Sequence, residues 1–118
     1  MSEAGIDPPE ESLTEPLEDS LEDLGGWLVV ARNRRVNRNW EALIDRSPES
    51  ALRWYKYLRK CPMARYPRRV FPLKGSGYRG AWECEVTSGD RLYYLPDEAA
   101  KKVVVFYAGP HCKPAPRP

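Results

Sequence analysis

Hydrophobic and polar positions change their period twice along this 118-residue chain. After Gly25-Gly26, the run Trp27-Leu28-Val29-Val30-Ala31 reads as a first short strand. Val36, Trp40, Leu43 and Ile44 then recur at i, i+4, i+7 and i+8, which places one apolar stripe on a helix. Ser47-Pro48-Glu49 restarts the chain with an N-cap residue, a proline suited to the first helical position and an acid suited to the positive helix end. Ala51, Trp54, Tyr55 and Leu58 form the apolar face of that second helix, Arg53, Lys56 and Lys60 lie on another face, and Cys61-Pro62 ends it. From residue 69 the period falls to two. Val70 to Lys74 reads as a strand whose Pro72 cannot donate to a ladder, so it belongs at a sheet edge or a bulge. Gly75, Gly77 and Gly80 surround Tyr78-Arg79 in a loop. Strands follow at Trp82–Val86, Arg91–Leu95 and Lys102–Tyr107. The order β-α-α-β-β-β-β predicts an α+β domain: an antiparallel sheet of four to five strands with an N-terminal helical hairpin packed on one face.

Alternation also assigns faces. With Trp82, Cys84 and Val86 toward the helices, Glu83, Glu85 and Thr87 point to the other side, which we expect to be open to solvent. A three-residue loop at 88–90 pairs Thr87 with Arg91 and Glu85 with Tyr93, placing Arg91 and Tyr93 on that open face. A two-residue loop puts Arg91 among the helices, where a lone cation is costly.

Charge divides the chain in two. Residues 1–24 hold nine acids and no Lys or Arg. The 17 acids and 19 bases of the whole chain therefore leave 17 − 9 = 8 acids against 19 bases in residues 25–118, a net of about +11. A small body so charged attracts polyanions, because each neutralised phosphate releases counterions. Residues 1–26 read as an acidic, disordered tail and 27–115 as the folded domain. Leu13, Leu17, Leu21 and Leu24 would give the tail one short amphipathic helix on a surface, and its charge suits contact with its own basic body. The N-terminus lacks a secretory signal, and the longest apolar run is far too short to span a bilayer. Cys61, Cys84 and Cys112 are an odd number at wide spacing, which points to a reduced, cytosolic compartment, and the pair His111-Cys112 alone does not make a metal site.

Four segments in this order carry a resemblance: Pro72-Leu73-Lys74-Gly75, Trp82-Glu83-Cys84-Glu85-Val86, Gly89-Asp90-Arg91-Leu92-Tyr93-Tyr94, and Val103 through His111. Over residues 27–115 the chain resembles the RelE/ParE superfamily of toxins from type II toxin–antitoxin systems. The resemblance implies a small cytoplasmic toxin held by a cognate antitoxin. RelE- and YoeB-like members cut ribosome-bound mRNA without metal or cofactor, by driving the ribose 2′-OH onto the adjacent phosphate. ParE-like members share the fold and poison DNA gyrase instead. A relative put to non-toxic nucleic-acid or partner binding is the third possibility.

Cleavage by 2′-OH attack needs a proton acceptor, positive charge for the crowded phosphate, and a proton for the leaving 5′ oxygen. Arg91 matches the family's strand-opening arginine, whose fork suits phosphate; pairing with Glu83 or Glu85 is its structural alternative. His111, the single histidine, stands just past the last strand, where YoeB-like relatives keep a catalytic imidazole. Glu85 is a candidate general base. Lys74 and Arg79 flank the glycine loop as candidate phosphate contacts, and Tyr78 and Tyr93 as stacking partners for RNA bases. RelE carries lysines where this chain has Glu83 and Glu85, which moves the proton work toward His111.

Overall fold

The computed structural model describes Glu11–Ser12 and residues 26–118. The expectations of a disordered tail and of a leucine-striped helix within it fall outside the described residues. In chain order the elements are β1 (Glu11–Ser12), β2 (Leu28–Ala31), α1 (Arg34–Arg46), α2 (Pro48–Lys60), β3 (Val70–Pro72), β4 (Trp82–Glu85), β5 (Asp90–Asp97) and β6 (Lys102–Pro110). They form one sheet of order β1-β2-β6-β5-β4-β3, with the two helices packed on one side.

Each helix forms where the 3.6-residue stripe lies. Asn33 caps α1 by accepting a hydrogen bond from the Val36 amide at 3.1 Å, and Val36, Trp40 and Leu43 are buried along it. In α2 the four expected residues Ala51, Trp54, Tyr55 and Leu58 are all buried. Ser47 is the single residue between the helices. It sits at the N-cap position of α2, yet its side chain makes no capping bond; its amide instead closes α1 on the Leu43 carbonyl. Trp40 stacks on Tyr55 across the hairpin with ring centroids 6.0 Å apart.

The sheet confirms the α+β class and adds one feature to the expected antiparallel pattern. β3 to β6 run as an antiparallel meander, with β3 and its Pro72 at the edge, but β2 pairs with β6 in parallel. The meander leaves one side of β6 unpaired, and the strand entering the hairpin fills it. Val103 and Val105 are thereby buried beside Val29 and Ala31, as parallel strands require.

The main core lies between sheet and helices, where Trp82, Cys84, Val86, Leu92 and Tyr94 meet the aromatic faces of α1 and α2. Burial pushes the Cys84 thiol and the Tyr94 phenol well above their ordinary values, and the Tyr94 hydroxyl donates to the Pro62 carbonyl at 2.7 Å. A second, smaller cluster forms on the other face. Ala81, Tyr93 and Phe106 are buried there under Tyr78, Leu95, Tyr107 and Ala115. That face, expected to be open, is covered by the glycine loop and the segment after β6. Among the described residues no helix is long and apolar enough to cross a membrane.

Candidate functional site

The turn between β4 and β5 is built by Thr87. Its hydroxyl accepts from the amides of Gly89 and Asp90 and donates to the Asp90 carboxylate at 3.0 Å. Asp90 in turn receives the Arg46 guanidinium at 2.9 Å, tying the end of α1 to the start of β5. The ladder pairs Glu85 with Arg91 and Glu83 with Tyr93, two residues away from the expected register. A shift of two leaves every side chain on its expected face, so Arg91 remains on the side away from the helices.

Arg91 faces Glu85 on one side and Gly109 on the other. Its Nε donates to the Glu83 carboxylate at 3.1 Å, and its Nη1 reaches the carbonyls of Thr87 (2.9 Å), Ser88 (3.2 Å) and Asp90 (3.2 Å). Only 8% of the residue is exposed, and Glu83 is equally buried. The guanidinium is thus largely committed to the fold: it closes the turn and neutralises a carboxylate that would be costly alone. The strand after Arg91 narrows toward the site at Gly109, whose φ of +150° disfavours any side chain; a Cβ there would sit 3.4 Å from the Tyr107 hydroxyl.

His111 is anchored by its amide, which donates to the Gly89 carbonyl at 2.9 Å, and its side chain is exposed. Glu85, Arg91 and His111 therefore gather at one end of the sheet, on the three adjacent strands β4 to β6 and the residue that follows them. Beside them, the Tyr107 hydroxyl donates to the Pro110 carbonyl, and burial together with the neighbouring Cys112 raises its pKa.

Lys74, Tyr78 and Arg79 do not join this group. They lie on the loop between β3 and β4, at the opposite end of the β4–β5 ladder. Lys74 and Arg79 are exposed. Tyr78 is half-buried and its hydroxyl donates to the Ala115 carbonyl at 2.7 Å, while Arg117 lies over its ring at 6.0 Å. Tyr93, expected as an exposed stacking platform, is fully buried against Phe106 and Tyr107. Its hydroxyl has no hydrogen-bond partner among the described residues, and burial raises its pKa strongly.

The sequence reading did not single out Glu83 as the main partner of Arg91, the Thr87–Asp90–Arg46 chain, or the packing of Ala115 and Arg117 on Tyr78. Only the first had a signal, the i, i+2 alternation that put Glu83 on the face of Arg91.

Neither a family model nor a curated protein matches the chain. Solved structures do. A YoeB/ParE toxin from Agrobacterium tumefaciens is 19% identical with a TM-score of 0.56, over 71% of this chain and 98% of that one. A YoeB-YefM complex from Staphylococcus aureus is 10% identical with a TM-score of 0.55, over 73% and 98%. A metal-bound toxin from Helicobacter pylori is 15% identical with a TM-score of 0.52, over 72% and 94%. At these identities the likeness is one of fold, and the chain has a RelE/ParE/YoeB-like toxin fold.

Proposed function

We propose that the chain is the toxin of a toxin–antitoxin pair and acts in the cytoplasm as a metal-independent endoribonuclease on ribosome-bound mRNA. The observation that carries this reading is the grouping of His111, Arg91 and Glu85 at one end of a toxin-type sheet. In it, the exposed His111 imidazole takes or supplies the proton at the ribose 2′ or 5′ oxygen, since its ordinary pKa near 6.5 suits both. Arg91 holds the turn beside it and offers the phosphate only the edge of its guanidinium not bound to Glu83 and the turn carbonyls. Glu85 is a weaker base at its ordinary value near 4.3. A cognate antitoxin would bind the basic body, as the Staphylococcus complex pairs YoeB with YefM. The acidic residues 1–24 are a second candidate to compete for that surface.

The commitment of Arg91 to Glu83 favours one other reading, a ParE-like toxin that binds DNA gyrase without catalysis. Induction of the wild type and His111→Ala in cells, with growth and reporter mRNA followed together, separates the two. The nuclease reading expects arrest with mRNA cleavage in the wild type and loss of both in His111→Ala, a substitution at an exposed position. Arrest with intact mRNA in both would transfer the assignment to gyrase. No arrest in either would leave a non-toxic binding protein.

A further inference from the structure

With Arg91 bound within the fold, the positive charge for a phosphate must come from elsewhere on the molecule. A cleft of about 240 Å3 opens between the start of α1 and the second half of β6. Arg32, Arg35 and Arg117 line it together with Asn33 and Asn39, and no carboxylate does. These arginines come from three places in the chain: the end of β2, the first turn of α1, and the segment after β6. Concentrating them here opposes ordinary electrostatics. α1 has no acid in its first turn, and cations at a helix N-terminus face the positive end of the dipole. The Arg32 guanidinium lies over the Phe106 ring at 5.7 Å, and its Nε is buried with no hydrogen-bond partner among the described residues. A donor held out of water and left unmatched, in a cleft of like charge, lacks an anion.

The cleft also leads somewhere. A second cleft of about 160 Å3 shares Asn39, Tyr107 and Ala108 with it and continues to Arg46, Gly109 and Pro110, the residue before His111. The two form a track beside β6, basic at both ends, with the half-buried Tyr107 ring in the middle. A basic groove with an aromatic along its floor suits single-stranded nucleic acid, whose phosphates follow the charge and whose bases can stack.

We propose that this track binds the phosphodiester backbone of single-stranded RNA, with Arg32, Arg35 and Arg117 holding a phosphate upstream or downstream of the bond presented to His111. The proposal rests on the nucleic-acid reading of the fold but not on cleavage. Arg35 and Arg117 are exposed, so removing them leaves the core intact. The test is fluorescence anisotropy of a labelled single-stranded RNA on the full chain across a salt series, comparing the wild type, R35A/R117A, and R65A/R68A. The last pair is an equal charge change at exposed positions in the loop before β3, at the far edge of the sheet.

The expected result is RNA binding about tenfold weaker in R35A/R117A, with a log–log salt slope shallower by about 1.4, the value for two lost phosphate contacts on a single strand. R65A/R68A should keep most of the wild-type affinity. Equal weakening by both pairs would reduce the site to diffuse charge and overturn the proposal, as would no RNA binding by the wild type. If R35A/R117A kept RNA affinity and instead lost binding to a poly-glutamate peptide, the occupant would be an acidic protein segment and the RNA assignment would fall. A chain that binds RNA through these arginines but leaves reporter mRNA intact would keep this site and reject the nuclease alone.

Discussion

The two faces of the sheet are stabilised by different means. On the helix side, Trp40, Trp54, Leu43, Leu58, Leu92 and Tyr94 pack into one continuous core with almost no exposed surface. On the other side only Ala81, Tyr93 and Phe106 are buried, and the cover over them is one tyrosine, a short terminal segment and a buried ion pair. The first face is held by apolar area, which is non-directional and tolerant of detail. The second is held by a few directional bonds, each with one partner. A fold can afford to vary the second face, and the exposed His111 and the arginine-lined track both border it.

The contrast can be broken most forcefully from the helix side. Trp40→Ala, at a position with no exposure, should cost about 3–5 kcal/mol, read as a lower urea midpoint. Glu83→Ala should come close behind, at about 3 kcal/mol, because it leaves the Arg91 guanidinium buried without its carboxylate. The double variant Glu83→Leu/Arg91→Met should regain most of that loss; failure to do so would mean that the pair contributes more than its own neutralisation. Tyr78→Phe removes only the bond to the Ala115 carbonyl and should cost about 1 kcal/mol. Its clearer sign would be faster amide exchange confined to residues 111–118, with the helices unchanged.

Alkali gives the mildest test, and it acts on both faces. Tyr94 on the helix side and Tyr93 and Tyr107 on the other are all raised by burial, and Tyr57, which donates to the Ala64 carbonyl, is pushed up to about 12. A phenol with a folded pKa above its unfolded value of 10.0 lends stability that is complete below pH 10 and lost as the pH climbs toward the folded value. The urea midpoint should therefore stay level up to about pH 10 and fall above it. A fall beginning well below pH 10 would point to some other group.

Much of this was legible in the residues themselves. The 3.6-residue spacing of Val36, Trp40 and Leu43 and of Ala51, Trp54, Tyr55 and Leu58 marked both helices and their buried faces. The alternation of Trp82, Cys84 and Val86 marked the inner side of β4, and Pro72 marked an edge strand. Even the misjudged register did no harm to the faces, since a slip of two preserves them. These features are local: a side chain's period decides which way it points before anything packs against it.

Three things were decided only by tertiary structure. The parallel pairing of β2 with β6 depends on which strand edge the meander leaves empty, a property of the whole sheet. The closure of the second face depends on the segment after β6 meeting Tyr78, two pieces of chain separated by 37 positions. The basic cleft depends on Arg32, Arg35 and Arg117 converging from three elements that share no spacing in the sequence. Period and composition fix what each segment buries, because those preferences act over a turn or a strand. Where a charge ends up, and what is left beside it, is set by contacts between distant segments, which no local pattern encodes.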